Sequence, residues 1–263
     1  MPPFFDQVEG FENVSPALQW AIFVVAVLIV IVAICSVAVS IYLSIRYFFY
    51  NRKQNSAGLT GAEVARRILD QNGLEKIKVS TWGSMIFGNS YSHYFHKVRI
   101  RRLTQKKTSI TSMAIGAQKS ALAILDKEDD PDMKRRIVLT PLIYLGPLAL
   151  IPIALIGIVV DILFFNFTGV VSFVSVSVGL LLYVVSFLLS IMVLKTEIKA
   201  QARCLEILKA QDMANDEEIE MMKKLFKLYN IQYVNDIIMQ VLEMIMRILQ
   251  LMANSQRGTS AND

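Results

Sequence analysis

Histidine and cysteine are both scarce in this 263-residue chain, which holds two of each. The two histidines lie together in Ser92-His-Tyr-Phe-His96, so a metal site built from three histidines is excluded. Two histidines three residues apart, with no cysteine or acid beside them, favour turn and packing roles over a metal site. Cys35 and Cys204 are too few and too widely separated to indicate a disulfide framework.

Charge is sparse as well, because charged residues make up 19% of the chain while hydrophobic residues make up 54%. This balance excludes an ordinary soluble domain. Residues 13–45 contain no charged side chain, and a membrane span needs only about 20 apolar residues. Two further apolar runs, 137–160 and 170–194, are joined by a short turn at Asn166-Phe-Thr-Gly169. We therefore expect a membrane protein with a hairpin of spans.

The distribution of basic residues predicts an orientation. Acidic residues precede the first apolar run, whereas Arg46, Arg52 and Lys53 follow it. The positive-inside rule then places the N-terminus on the outer side and the polar domain on the cytoplasmic, or matrix-like inner, side. A basic cluster in that domain contains Arg99, Arg101, Arg102, Lys106 and Lys107. We expect it to be a solvated edge next to anionic lipid headgroups and not a nucleic-acid site.

A polar stripe distinguishes the C-terminal segment 229–253, which otherwise consists largely of Ile, Leu, Val and Met. The stripe residues recur at alternating steps of four and three, and they are Asp236, Gln240, Glu243, Arg247 and Gln250. This spacing predicts a helix with one polar side. The helix is either a fourth span whose stripe faces its own bundle or a partner, or an interfacial helix whose stripe faces water. The stripe and the three arginines of the basic cluster are candidate interaction residues.

Two helices are predicted in the polar domain, one with a capping box and one rich in small residues. Thr60 and Glu63 form a capping box for a helix within residues 58–74, which Gly73 ends. Residues 108–124 carry apolar side chains at helical spacing and are rich in Gly and Ala, which predicts a closely packed amphipathic helix. Two strand-like runs, 76–81 and 97–103, lie between these helices.

These segments resemble the YugP-type membrane zinc peptidases, the neutral zinc metallopeptidase family. The stretch 58–74 is similar to the family's opening helix almost residue for residue. The Thr-Ser-Ile lead of residues 108–110 resembles the start of the helix that carries His-Glu-x-x-His, and Glu197-Ile-Lys-Ala-Gln201 resembles the family's Glu-Phe-Asp-Ala-Ser element. The resemblance implies a mainly α membrane protein with about four transmembrane or membrane-embedded helices and a small α+β metallopeptidase-like domain on the inner face.

The chain departs from the family at the residues that carry its chemistry. Laid on this sequence, the two motif histidines fall on Gln118 and Leu122, and the motif glutamate falls on Lys119. Lys199 stands at the aspartate of the acidic element, although Glu197 is kept. The motif binds zinc through two imidazoles one helical turn apart, with a glutamate as base, and lysine ammonium groups would repel the metal. We expect a degenerate site with no catalytic residues, no metal and no cofactor.

The resulting hypothesis is a catalytically inactive pseudo-metallopeptidase, not an enzyme. It would act as a scaffold or as an accessory or regulatory subunit of a larger membrane protein complex, with other membrane proteins and the lipid bilayer as partners. One alternative is a membrane-bound zinc metallopeptidase acting on membrane proteins, or a protease using Ser120 beside Lys119. A further alternative is a transporter or channel component that uses Asp161 and the C-terminal stripe.

The expected order of segments follows from these patterns. It is an outer N-terminal segment (1–16), a transmembrane helix (17–49), the inner-side metallopeptidase-like domain (50–136), two transmembrane helices (137–163 and 169–195), inner-side helices that complete the domain (196–228), an amphipathic or fourth membrane helix (229–253) and a flexible tail (254–263).

Overall fold

The computed structural model of the chain describes residues 14–166 and 168–260. Its elements are α1 (Pro16–Arg52), α2 (Gly61–Gln71), β1 (Lys78–Ser80), α3 (Ser84–Phe87), β2 (Ser90–Ser92), β3 (Lys97–Arg99), α4 (Arg102–Lys106), α5 (Ile110–Lys127), α6 (Pro131–Phe164), α7 (Val170–Ala210) and α8 (Asp216–Ser260). The chain divides into two compact units. The first unit comprises the residues up to Tyr42 and those from Ile231, and the second unit is Leu43–Asn230.

Three helices in the described part of the chain, α1, α6 and α7, are long and apolar enough to cross a membrane. The prediction of a mainly helical membrane protein is thus confirmed. A fourth span is not confirmed, because α8 is absent from the candidates among the described residues. The polar side chains that recur along α8 lower its apolar character below that of the other three helices.

Helices α6 and α7 form the expected hairpin, and small residues let their backbones approach. A Cβ added to Gly146 would lie 2.2 Å from Ser186 Oγ, and one added to Gly157 would lie 2.2 Å from the Ser175 side chain. The Gly146 N–H donates a hydrogen bond to Ser186 Oγ at 3.0 Å. Close backbone approach at small residues is a general means of packing membrane helices, in which apolar burial between helices contributes little.

Asp161 lies near the turn of this hairpin and is fully buried. Its carboxylate accepts hydrogen bonds from the hydroxyls of Thr168 at 3.0 Å and Ser172 at 2.8 Å. Because this carboxylate of α6 bonds to the turn and to the start of α7, we assign it the role of holding the turn together.

Helix α5 lies at the centre of the second unit. All of its side chains from Ile110 to Leu125 are buried except that of Lys119, which is partly exposed. Helix α2 crosses it so closely that a Cβ added to Gly116 would lie 2.3 Å from the Gly61 carbonyl oxygen. The small residues predicted for this helix therefore serve backbone contact. As expected from the capping box, Thr60 and Glu63 satisfy each other's backbone N–H groups at the start of α2.

A three-stranded sheet in the order β1-β3-β2 lies beside α5. Strand β1 pairs parallel with β3, and β2 pairs antiparallel with it. The two predicted strand-like runs are both present but shorter, since the end of the second run belongs to α4. The sequence analysis missed β2, in which Tyr91 pairs with Val98 so that both apolar side chains enter the core.

Helix α8 is one continuous element, in contrast to the separate segments that the sequence predicted. It also runs through the described part of the expected flexible tail, as far as Ser260. Within the first unit, Ala253 packs with Val14, Leu18 and Ile22 in a small buried cluster. Ser40 donates a hydrogen bond to Gln232 at 3.0 Å. Packing against α1 supplies the partners that keep this last segment helical. Residues 1–13, which cover most of the predicted outer N-terminal segment, lie outside the described residues.

We predict that Gly116→Ala lowers the stability of the second unit by about 1–3 kcal/mol, because the added methyl must push the α2 backbone away. Thermal unfolding of the purified full chain in detergent measures the loss. Gln71→Ala, which changes an exposed position at the end of α2, is the control and should leave the transition unchanged. Equal stability of Gly116→Ala and wild type would contradict the close contact.

Candidate functional site

The positions that correspond to the zinc motif lie on the side of α5 that faces the bases of α6 and α7. Gln118 and Lys119 are on α5, Glu197 is on α7, and Arg136 is on α6. Glu197 follows the apolar part of α7, which ends at Leu194. On this side of α5, Gln118 and Lys119 find polar partners outside their own helix.

Glu197 is the centre of a compact polar cluster. Its Oε2 accepts hydrogen bonds from Gln118 Nε2 and from Lys119 Nζ, each at 2.9 Å. Its Oε1 accepts a hydrogen bond from Arg136 Nη2 at 2.8 Å. The side chains of Lys119 and Arg136 are only 12% and 11% exposed, so both ion pairs are shielded from water. We call these four residues the Glu197 cluster.

The charges of this cluster oppose the effect of burial on Glu197. Burial raises the pKa of the carboxyl group, but the adjacent charges of Lys119 and Arg136 outweigh it and hold the pKa at about 2. The carboxylate is therefore ionised over the physiological range, and both of its oxygens are occupied by donors of this chain. Such shielded, hydrogen-bonded pairs depend strongly on each partner being present.

These residues do not fit a zinc ion. Zinc sites in proteins are built from Cys, His, Asp and Glu, and Glu197 is the one side chain of that kind in the cluster. Lys119 holds its ammonium where a cation would have to lie against the carboxylate. In the described part of the chain, no group of three His, Cys, Asp or Glu residues is placed to hold a metal ion.

Lys199 does not join the cluster, although the sequence analysis expected the two lysines to act together against a cation. It pairs instead with Asp130, which caps α6, and lies 3.7 Å from Asp132. Glu197 and Lys199 are two positions apart on α7, so their side chains leave the helix in different directions. Asp130 and Asp132 thus anchor the base of α7.

Arg136 is the member of the cluster that the sequence analysis missed. It stands last in Lys134-Arg135-Arg136, directly before the apolar run that starts at Ile137. The sequence analysis assigns this position no role. A basic residue at the base of one span and an acid at the base of the next could have suggested the pair, because the two ends of a hairpin meet.

Ser120 and Leu122 are enclosed by the core. Ser120 is fully buried, and its hydroxyl donates to the carbonyl oxygens of Gly116 at 3.0 Å and Ala65 at 3.3 Å. These bonds hold α5 against α2 on the side away from Lys119. The geometry therefore gives no support to a nucleophilic Ser120 activated by Lys119, which would require the two groups to be in contact.

The two histidines lie in the turn between β2 and β3, where the fold brings Asp126 beside His93. His93 Nδ1 lies 2.7 Å from an oxygen of Asp126, which also accepts a hydrogen bond from Tyr91 at 2.6 Å. His96 adopts a left-handed backbone conformation, with φ of 45°, in the turn before β3. Neither histidine belongs to the Glu197 cluster.

The candidate interaction residues differ in exposure. Asp236, Glu243, Arg247 and Gln250 of α8 are exposed, and Gln240 is half-buried. In the basic cluster Arg101 and Arg102 are exposed as predicted, whereas Arg99 is only 5% exposed. The prediction of a solvated edge is therefore wrong for Arg99, because its guanidinium packs between the rings of Phe87 and Phe95.

Comparisons with known proteins extend over most of the chain. The sequence model of the family described as "Putative neutral zinc metallopeptidase" matches residues 25–252. The "Putative membrane protease YugP" of Bacillus subtilis (strain 168) is 23% identical over 220 residues, which cover 79% of this chain and 87% of that relative. No solved structure matches the chain.

We predict that Glu197→Gln destabilises the chain by about 3–5 kcal/mol, because it leaves two shielded cations without a counter-charge. Thermal unfolding in detergent should show a midpoint lower by on the order of 10 °C. Lys209→Met is the matched control: it breaks the ion pair with Asp216 at 2.8 Å, whose side chains are 67% and 85% exposed. Exposed pairs contribute less than about 1 kcal/mol. Similar losses from the two variants would contradict the shielding of the Glu197 cluster.

We predict a loss of stability in acid that depends on Glu197. Its pKa in the folded chain, about 2, is lower than its ordinary value of 4.5. The ionised carboxylate therefore stabilises the fold above pH 4.5, and this contribution disappears as the pH falls from 4.5 towards 2. Unfolding midpoints measured across that window should decline more steeply for wild type than for Glu197→Gln. Parallel curves would contradict the lowered pKa.

Proposed function

This chain belongs to the neutral zinc metallopeptidase family, and we propose that it is a member without zinc chemistry that serves as a scaffold or accessory subunit for other membrane proteins. The family and the three candidate spans make it a membrane metallopeptidase-like protein. The scaffold function goes further than family membership. It is inferred from the residues that this chain has at the family's functional positions.

The observation that supports the proposal is the engagement of Glu197 by Lys119 and Arg136, at 2.9 and 2.8 Å. The one acidic residue retained at a family site position has both oxygens bonded to cations of the chain itself. A metal-bound water needs a metal and a base, and Gln118, Lys119 and Leu122 supply neither ligand nor base. At this point the chain is stabilised by its own charges.

A membrane-bound metallopeptidase acting on membrane proteins is the second candidate function. The comparisons favour it over the scaffold function, because the family is described as metallopeptidases and the Bacillus subtilis relative is titled a membrane protease. Under this candidate, the metal would be bound by residues other than those of the Glu197 cluster, or the chain would cleave peptides by another chemistry.

One preparation tests both candidates. The full chain is purified from its own membrane in a mild detergent, and the sample is divided among zinc analysis, identification of co-purifying proteins and cleavage of co-reconstituted membrane proteins with and without a zinc chelator. A stoichiometric membrane-protein partner without zinc supports the scaffold. One zinc per chain with chelator-sensitive cleavage overturns it and establishes the peptidase.

We predict that restoring the family residues restores zinc binding. The variant carries Gln118→His, Lys119→Glu, Leu122→His and Lys199→Asp, and about one zinc per chain is expected. Gln118 and Glu197 are already within hydrogen-bond distance at 2.9 Å, and residue 122 lies one helical turn further along the same face of α5. Zinc content measured by mass spectrometry is the readout, independent of any peptidase activity.

The matched control keeps Lys119 and Lys199 and carries only Gln118→His and Leu122→His. It should bind no zinc, because the ammonium group of Lys119 remains against Glu197. If a folded variant with all four changes binds no zinc, the two helices no longer hold the family's site geometry. Zinc binding by the two-histidine control would show that Lys119 does not exclude the metal.

A further inference from the structure

The edge of the second unit around α3 exposes apolar side chains that the core does not use. Met85 and Ile86, on α3, are 95% and 78% exposed. Trp82, Phe95 and Leu103 nearby are 64%, 58% and 75% exposed. An exposed group of large apolar side chains is typical of a site that contacts a partner protein or a membrane. We call residues 82–107 the α3 edge.

The α3 edge lies beside the beginning of a candidate span. The ring of Phe87, at the end of α3, contacts the ring of Tyr144 on α6 edge to face, with centroids 5.5 Å apart. The apolar run of α6 starts at Ile137, and seven residues of helix advance about 10 Å. Helix α3 is therefore level with the first two turns of the span, where an aqueous surface gives way to the bilayer.

The charge of this region has one sign. Residues 76–125 contain no Asp or Glu, while several Lys and Arg occur among them. On the α3 edge, four of these basic residues are exposed: Arg101, Arg102, Lys106 and Lys107. Aromatic and aliphatic side chains flanked by cations are typical of segments that lie in the interface of an anionic membrane. The apolar residues and the cations thus indicate the same kind of surface.

Arg99 is a buried cation on this edge that makes no ion pair with the residues that the structure describes. It is 5% exposed, and its guanidinium carbon lies 5.1 Å from the ring centre of Phe87 and 5.4 Å from that of Phe95. Its Nε has no hydrogen-bond partner within the part of the chain that the structure describes. A buried cation without a counter-charge is unfavourable. An anion from outside the chain would satisfy it.

We propose that the α3 edge docks on an anionic bilayer surface, with Met85 and Ile86 inserted among the acyl chains and Arg99 bound to the phosphate of an anionic phospholipid. Exposed Arg101 and Arg102 face neighbouring headgroups. The docking gives the polar domain an attachment to the membrane in addition to its helices. It is independent of whether the Glu197 cluster has a catalytic role.

Fluorescence of Trp82 tests the proposal in the full chain. Trp20→Phe leaves Trp82 as the sole tryptophan, and the protein is reconstituted into nanodiscs of phosphatidylcholine, alone or with phosphatidylglycerol. Part of the lipid is brominated near the top of the acyl chains, where bromine quenches a nearby indole. We expect strong quenching in the anionic discs and weak quenching in the neutral ones.

Variants separate the apolar and the charged contributions. Met85→Ser with Ile86→Ser should reduce quenching in both lipids. Arg99→Gln should reduce quenching only in anionic lipid, where we expect the ratio of docked to undocked chains to fall about fivefold, the order expected for one basic residue at such a surface. Arg67→Gln, an exposed arginine of α2, removes the same charge elsewhere and should have no effect. If Arg99→Gln fails to fold, Arg101→Gln with Arg102→Gln provides the same comparison at exposed positions.

Two outcomes would overturn the proposal. Absence of bromine quenching in both lipids would place the α3 edge in water or against a protein. Equal quenching in neutral and anionic discs, or equal effects of Arg99→Gln and Arg67→Gln, would show that no anionic headgroup is bound.

Discussion

Enclosure of α5 is the constraint from which the arrangement of the second unit follows. A helix surrounded by other elements along its length can carry only small or apolar side chains, and Gly116 must accept the Gly61 carbonyl at a distance that no Cβ would allow. Polar residues of α5 are then restricted to the direction in which a polar partner exists. For Gln118 and Lys119, that direction is the carboxylate of Glu197.

The Glu197 cluster occupies the position that the family resemblance assigns to a metal. In a metal site a bound cation balances the carboxylate ligands, whereas here the positive charge beside the carboxylate is covalently part of α5 and α6. Lys119 and Arg136 give the acid a counter-charge without an ion from solution. Family membership and the residues of the cluster therefore point to different activities, and the metal content of the purified chain distinguishes them.

The cluster also links the polar domain to the membrane. Arg136 comes one residue before the apolar run of α6, and Glu197 comes three residues after that of α7. Their ion pair fastens the two ends of the hairpin to each other and, through Lys119, to α5. Together with the contact between Phe87 and Tyr144, this places both the Glu197 cluster and the α3 edge beside the ends of the apolar runs of α6 and α7.

The sequence by itself determined the elements that depend only on neighbouring residues or on local composition. The capping box of Thr60 and Glu63 and the apolar runs of α1, α6 and α7 act within a few residues or through composition, and each is present as predicted. The assignment of Gln118, Lys119 and Leu122 to the motif positions follows from the family resemblance of the sequence and stays a prediction. The short strand β2 was not predicted, because its pairing with β3 depends on a partner and not on its own pattern.

Tertiary structure decided which charges meet. The sequence grouped Lys119 with Lys199, but the rotation of α7 between residues 197 and 199 sends Lys199 to Asp130 and leaves Glu197 to Arg136. The continuity of α8 and the burial of Arg99 depend in the same way on packing against elements distant in the chain. Propensity and spacing fix where helices form, whereas the partner of a charged side chain depends on how those helices are rotated and docked.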